Sequence, residues 1–321
     1  MTAVRARRGT NMGSPRPGDR VVVRSLGEIL STLDPSGALE GLPFLPEMTS
    51  YCGRELAVRR RVDKLIQEGV GSSMRRIRNV VLLEGAVCDG RDHGDCQRAC
   101  FPLWKTAWLR PADERSPRSL PADPAGSSPD GAPGERDAAV ADLPRKTCQV
   151  TELLKATKPL PLWHPLRHYW DLSSRTYSPR DYLAYIARGI YKRSLKKVIG
   201  RLARRTSKPR PQAPPEPLDL KPGDVVEVRS RSEIRATLDA DGRHKGLYFM
   251  PAMWSLCGRR LRVLQRVDRM MSEKTGEMRS LARTVILEGV TCDGKAHGGC
   301  QRGCLVFWKD AWLKRGDEGP A

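Results

Sequence analysis

The sequence predicts a mainly β protein with some α-helix. It is expected to contain two duplicated small β-barrel-like modules of the SH3 type, each bound to a metal ion. Three observations support this prediction: a unit of about 95 residues occurs twice, each copy has short strands bounded by glycine turns, and each copy carries one cluster of cysteines and a histidine. The copies run over 17–110 and 222–314. A repeat of this length indicates a duplicated domain rather than a solenoid array.

Within each copy the elements are predicted in the same order. "GDRVVVR" and "GDVVEVR" alternate in hydropathy after a Pro-Gly turn, which is typical of a strand. "SLGEILSTLD" and "SRSEIRATLD" begin with serine and carry glutamate three residues later, the capping box that opens a short helix. "ELAVRRRV" and "RLRVLQRV" predict further strands, as do the stretches that lead into each cluster. The tryptophans of "WKTAW" and "WKDAW" are predicted to pack in the two cores.

The remaining segments differ in composition from the two copies. Residues 1–16 are predicted to be a disordered N-terminus, 111–144 a flexible linker, 207–221 a Pro-rich spacer, and 315–321 a tail. Residues 145–206 are predicted to be a helical, basic segment that contains "CQVTEL". Ser178 and Pro179 suit the N-cap and first position of an amphipathic helix over 178–206.

The positive charge is concentrated between the copies. The chain has a net charge of +20, and residues 148–215 contain 15 basic and 3 acidic residues, whereas 17–110 contains 14 and 12. A basic amphipathic helix suits a nucleic-acid backbone or an anionic membrane surface, so either is a possible partner for 178–206. The alternative is a solvated helix that packs through its apolar stripe.

The chain shows no apolar signal-peptide core after its first basic residues and no run of about 18 apolar residues. We therefore expect a cytoplasmic protein. In that reducing compartment the nine cysteines are expected to be metal ligands or reactive thiols rather than disulfides.

The clusters "CDGRDHGDCQRAC" and "CDGKAHGGCQRGC" share the pattern C-x4-H-x2-C-x3-C. Cysteine and histidine persist while four positions between them change, which favours ligands over small buried hydrophobes. A tetrahedral zinc site needs four such donors, and one further cysteine per copy offers a fifth. An iron–sulfur cluster held by four cysteines is the alternative cofactor. The predicted metal ligands are Cys52, Cys88, His93, Cys96 and Cys100 in the first copy, and Cys257, Cys292, His297, Cys300 and Cys304 in the second.

Cys148 has no counterpart in the second copy. It is interpreted as an extra ligand of the first site, a buried thiol, or an independent nucleophile. If it reaches the first metal, the first site is the functional one and the second is structural. Cys148 and His93 are therefore the candidate catalytic residues.

The signature "CDG-x-x-HG-x-CQ-x-x-C", followed by "WK-x-AWL" and "CQVTEL", resembles an uncharacterised family of bacterial proteins often encoded beside biosynthetic or glycan-assembly genes. The resemblance covers 17 to about 200, and 222–314 looks like a second, partial copy. It marks five signature positions: Cys88, His93, Cys96, Cys100 and Cys148. Asp95, which is glycine in the second copy, departs from the pattern.

The sequence thus predicts a zinc-binding protein that acts as an accessory factor or metal-dependent enzyme in a bacterial biosynthetic pathway. Its partner would be a pathway enzyme or a small-molecule substrate. An iron–sulfur redox protein and a zinc-containing nucleic-acid-binding regulator are the two alternatives.

Overall fold

The computed structural model describes residues 15–68, 73–112, 143, 147–161, 163–174, 177–187 and 217–316. It is mainly β-structure with some helices, which confirms the predicted class. The expected disordered N-terminus, linker and spacer lie almost entirely outside these ranges, as does most of the expected basic helix. None of the helices in the described ranges has the length and apolar character needed to cross a bilayer.

The first module, residues 17–111, is an antiparallel sheet with the strand order β6-β5-β4-β1-β7. Its elements are β1 (Arg20–Val23), α1 (Leu26–Leu30), β2 (Ala38–Leu39), β3 (Leu42–Pro43), β4 (Glu55–Leu65), β5 (Arg75–Leu83), β6 (Trp104–Lys105) and β7 (Leu109–Pro111), with 3-10 turns at Pro46–Tyr51, Arg91–His93 and Thr106–Trp108. The predicted capping box is present, because Ser25 and Glu28 bond to each other's backbone amides.

The segment after the first module packs onto it. Its elements are α2 (Leu153–Ala156), β8 (Lys158–Pro159), α3 (Leu166–Ser173) and the helical residues 179–187, termed α4. β8 pairs with the first two residues of β5. A buried ion pair between Lys64 and Asp171, with 2.6 Å between Nζ and Oδ1, joins β4 to α3. Ser178 caps α4 by accepting a hydrogen bond from the Asp181 amide, as predicted. The expected continuation of this helix over 188–206 lies outside the described residues.

The second module, residues 222–315, repeats the strand order of the first as β16-β15-β12-β9-β17. Its elements are β9 (Val225–Val228), α5 (Arg231–Thr237), β10 (Arg243–His244), β11 (Leu247–Tyr248), β12 (Arg260–Arg266), β13 (Arg269–Met271), β14 (Met278–Ser280), β15 (Thr284–Thr291), β16 (Leu305–Lys309) and β17 (Leu313–Arg315), with 3-10 turns at Pro251–Leu256, Lys295–His297 and Asp310–Trp312. Its capping box also forms, between Ser230 and Glu233.

Each module has its own aromatic core. The four tryptophans of the repeated motif, Trp104, Trp108, Trp308 and Trp312, are fully buried, which confirms the predicted packing role. A phenylalanine meets the second tryptophan of each pair edge-on, at 5.3 Å between ring centroids for Phe44–Trp108 and 4.9 Å for Phe249–Trp312. This edge-to-face geometry suits the ring quadrupoles and fixes one packing arrangement.

The "CQR" tripeptide that follows each histidine lies at the contact between the two modules. The Oε1 atom of Gln97 accepts hydrogen bonds from the amides of Asp268 and Arg269, at 2.6 and 3.1 Å. In the reverse direction, Oε1 of Gln301 accepts from the amides of Asp63 and Lys64, at 2.7 and 3.2 Å. Each copy therefore holds the corresponding strand of the other, as two subunits do across a twofold interface.

The arginines of the same two tripeptides share one acidic partner. Arg98 and Arg302 both pair with the buried carboxylate of Glu273, at 2.8 Å each. Arg98 also reaches Glu68, whose side chain is 64% exposed. The Arg98–Glu273 pair joins the two modules away from water, where the interaction is stronger than at the surface. A second pair between the modules, Arg269–Asp95 at 2.7 Å, is exposed.

Gln301→Ala is expected to destabilise the protein more than Gln97→Ala. Gln301 is completely buried and also donates to the carbonyl of Trp170 and the hydroxyl of Ser174. Its loss removes the acceptor of the buried Asp63 and Lys64 amides, at about 1–3 kcal/mol for each amide left unpaired, whereas water can replace the half-buried Gln97. Chemical denaturation of the two matched variants checks this. Equal losses of unfolding free energy would contradict it.

Candidate metal centre

The loop that carries Cys88 and His93 is closed by its own backbone. Gly90 has a φ of 73°, and its carbonyl accepts hydrogen bonds from the amides of His93 and Cys96, both at 3.2 Å. The amide of Cys88 donates to the carbonyl of Cys100 at 2.8 Å. A Cβ atom at residue 90 would overlap the Cys96 carbonyl oxygen, so only glycine fits at this position.

Three side chains of the first module converge inside this loop. Cys88 Sγ lies 3.4 Å from Oε1 of Glu47 and 3.5 Å from Nε2 of His93, and Nδ1 of His93 lies 3.8 Å from the same carboxylate oxygen. Their ligand atoms all lie within 4.8 Å of one another. Glu47 comes from the 3-10 turn Pro46–Tyr51, which packs against the loop. One oxygen, one sulfur and one nitrogen donor are thus held together.

This group is buried and short of hydrogen-bond partners. The side chains of Glu47 and His93 are 5% and 1% exposed. Nevertheless, Oε2 of Glu47 and Nδ1 of His93 have no hydrogen-bond partner. Buried polar atoms in proteins are nearly always paired, so the donor set fits a bound ligand that would satisfy both atoms.

Burial also determines the protonation of the group. It raises the pKa of Glu47 and lowers the pKa of His93. Burial raises the pKa of Cys88 far above its usual value, and repulsion from the neighbouring Cys100 and Glu47 adds to this. Each shift disfavours a charged side chain in a site closed to water. A cation would reverse this preference for the thiol and the carboxylate.

Cys88 also lines a cavity of about 30 Å³ that reaches the other module. The residues on the walls of this cavity that can carry charge are Cys88, Arg98, Cys100, Cys148, Arg302 and Cys304. The pKa of Cys148 is raised by burial to about 11, so in the protein alone this thiol is protonated at neutral pH. The "CQVTEL" element places Cys148 on the same cavity as Cys88, but Cys148 is not one of the three converging donors.

The second module lacks the equivalent arrangement. Ala252 stands at the position of Glu47, and His297 is exposed. Across the described ranges, Glu47, Cys88 and His93 form the single group of three histidine, cysteine or acidic side chains with this proximity. The clusters are alike in sequence but only the first assembles a donor set.

The other predicted ligands have different surroundings. Cys96 Sγ accepts a hydrogen bond from the Met271 amide at 3.3 Å, and Cys300 Sγ accepts from the Ile66 amide at 3.4 Å, so both thiols face the opposite module. Cys100 and Cys304 line the cavity. The half-buried Cys52 and Cys257 pack against the two cores and Cys292 against the second. None of the nine cysteines, all of which lie in the described ranges, forms a disulfide bond.

Glu47 was not among the ligands predicted from the sequence. A signal for it lies in the repeat, because "LPEM" in the first copy aligns with "MPAM" in the second. A position that is acidic in one copy and alanine in the other indicates a role limited to the first. Its neighbours Phe44 and Met48 are fully buried.

Comparison of the chain with protein-family models, with curated proteins and with solved structures found no match.

Proposed function

We propose that the first module binds one divalent metal ion through Glu47, Cys88 and His93, and that this ion is zinc. The main support is the convergence of the three donors together with the unpaired buried atoms of Glu47 and His93. Zinc accepts this mixture of carboxylate, thiolate and imidazole ligands readily, whereas calcium and magnesium select oxygen.

Three protein ligands leave one coordination position open, which is the pattern of catalytic rather than structural zinc sites. A bound ion would supply Lewis acidity at that position. The chain's own contribution is to keep the position dry and to place Cys148 near Cys88. We therefore favour a metal-dependent enzyme, or an accessory protein, of a bacterial biosynthetic pathway in the cytoplasm.

In this proposal the two modules are duplicated SH3-like barrels with unequal roles. The first holds the ion, and the second completes the neighbouring cavity by contributing Arg302 and Cys304. An iron–sulfur cluster is less well supported, because it needs four thiolates and only Cys88 belongs to the donor group.

Metal analysis of the purified protein tests the proposal. We expect one zinc ion per chain. Cys88→Ser and His93→Asn should each reduce the zinc content to well below half, while the matched variants Cys292→Ser and His297→Asn should retain it. If the metal stabilises the fold, apparent stability should also rise by about 2.7 kcal/mol at a free zinc concentration 100 times the Kd.

Two results would contradict the proposal. One is two zinc ions per chain that are lost equally from variants of either module. The other is iron with acid-labile sulfide and a visible absorption band, which would establish the redox alternative instead.

A further inference from the structure

A second, larger cavity of about 420 Å³ lies between β5 and the segment that follows α2. Its lining residues with charged or titratable side chains are Glu40, Arg76, Arg78, Lys155, Lys158 and His164. Cavities of roughly 300–1,000 Å³ are the usual size of small-molecule sites. No residue of the proposed metal centre lines this cleft.

The charge of this cleft is positive and largely uncompensated. Its carboxylate, Glu40, is already paired with Lys105 at 2.7 Å, and Lys155 is paired with Glu152 at 2.6 Å. The side chains of Arg76, Arg78 and Lys158 form no ion pair with any residue in the described ranges. Three cations thus line one cleft without an ion pair of their own. The buried Asp63 attracts Arg76, but its carboxylate is already paired with Arg61 at 2.7 Å.

The walls of the cleft are fixed in place. Arg75 donates to the hydroxyl of Thr157 at 2.6 Å and to its carbonyl at 2.8 Å, and β8 pairs with β5 beside it. The guanidinium of Arg76 lies 4.7 Å from the centroid of the Trp170 ring, on which His164 also stacks at 5.2 Å. An arginine held against an aromatic ring loses little freedom when it binds a ligand.

Arg76 and Arg78 both belong to β5. Both line the cleft, on either side of Ile77, which is 1% exposed and belongs to the core. The pairing of β4 with β5 shifts register between Arg76 and Val80, and the two arginine Cα atoms are at most about 7 Å apart, the span of two extended residues. Burial and repulsion from Arg78 lower the pKa of Arg76 by more than the attraction of Asp63 raises it, and an anion placed between the two arginines would relieve that repulsion.

The second module lacks the two arginines of this cleft. Ser280, at the end of β14, and Ala282, before β15, stand at the positions of Arg76 and Arg78. The two arginines are therefore features of one copy rather than of the repeated framework.

We propose that this cleft binds a small molecule carrying a diphosphate group, of about the size of a nucleoside diphosphate. Guanidinium groups bind phosphate oxygens with paired, charge-assisted hydrogen bonds, and two arginines at this spacing match two linked phosphates. Lys158 adds a third cation at the same opening. This site is independent of the metal centre and does not require the metal to be bound.

Isothermal titration with ADP and with inorganic pyrophosphate, in about 0.15 M salt to screen diffuse attraction, tests the proposal. We expect saturable binding of one ligand per chain. The double variant Arg76→Ser with Arg78→Ala, which imports the residues of the second copy, should weaken binding at least tenfold. Arg78→Ala alone leaves the Arg76–Trp170 contact intact and should weaken it severalfold, so a folding defect cannot explain both results.

The matched control is Lys221→Ala with Arg260→Ser, which removes the same charge from exposed positions of the second module. It should bind both probes as the parent does. The proposal would be overturned if the parent protein bound neither ADP nor pyrophosphate. It would also be overturned if the cleft variant and the control variant lost the same amount of binding affinity. If the protein bound single-stranded RNA through the two arginines but did not bind ADP, the ligand of the cleft would be a nucleic-acid backbone and the small-molecule proposal would be wrong. Zinc content, measured on the same samples, should not change with the cleft variants.

Discussion

Glu273→Ala is expected to lower the free energy of unfolding by about 3–5 kcal/mol, because it leaves two arginines at the module contact without their common partner. The Glu273 side chain is fully buried, and Arg98 and Arg302 both lie 2.8 Å from it. Chemical denaturation measures the effect. Glu68 occupies the same place in the first copy but is 64% exposed, so the matched variant Glu68→Ala should lose less than about 1 kcal/mol.

The same carboxylate predicts a dependence on pH. Burial alone would raise the pKa of Glu273, but Arg302 and Arg98 outweigh it and hold that pKa below the ordinary value of 4.5. A carboxylate with a lowered pKa stabilises the fold fully above the pKa of the unfolded chain, and this contribution is lost as the pH falls through the folded value. The stability difference between the parent and Glu273→Ala should therefore narrow below about pH 4.5. A difference that stays constant down to pH 3 would show that the ion pairs contribute nothing.

Gly90→Ala is expected to lower the free energy of unfolding by about 2–5 kcal/mol and to abolish the proposed zinc binding, because a methyl group at this position meets backbone rather than a movable side chain. The added Cβ would collide with the carbonyl of Cys96 in the loop that carries Cys88 and His93. Thermal unfolding and metal content measure the two effects.

Gly85→Ala separates this overlap from simple backbone strain. Gly85 has a similar φ of 76°, but a Cβ atom there would have nothing within 4 Å. This variant should lose only about 1–2 kcal/mol of unfolding free energy and should retain the proposed zinc binding. If the two variants lost the same stability and the same zinc content, the close approach of the loop to residue 90 would have no role in shaping the site.

Local features of the fold were predictable from the sequence. Ser25 and Glu28 specify their helix start through bonds within three residues, and the spacing of Trp104 and Trp108 already indicates a buried pair. These interactions are short-range or follow from hydropathy, so a pattern in the sequence contains them. The mainly β class followed from the same kind of signal.

The composition of the candidate site was only partly predictable. Cys88 and His93 were predicted as ligands because the pattern C-x4-H-x2-C-x3-C occurs in both copies. The sequence grouped Cys96 with them, but its sulfur accepts a hydrogen bond from Met271, 175 residues later. Contacts between modules do not appear in the spacing of a motif. Glu47 lies 41 residues before Cys88, and only the fold brings the two side chains together.

The cavity beside Cys88 has walls from both halves of the chain, since Arg302 and Cys304 complete it. The second module, which lacks the three donors, is therefore needed to close this cavity. Cutting the chain between the two modules would expose the thiols that line this cavity to solvent and oxidants. Substitutions in the second module that line this cavity would alter the surroundings of Cys88. The two modules can therefore diverge freely in sequence only on the faces turned away from the cavity.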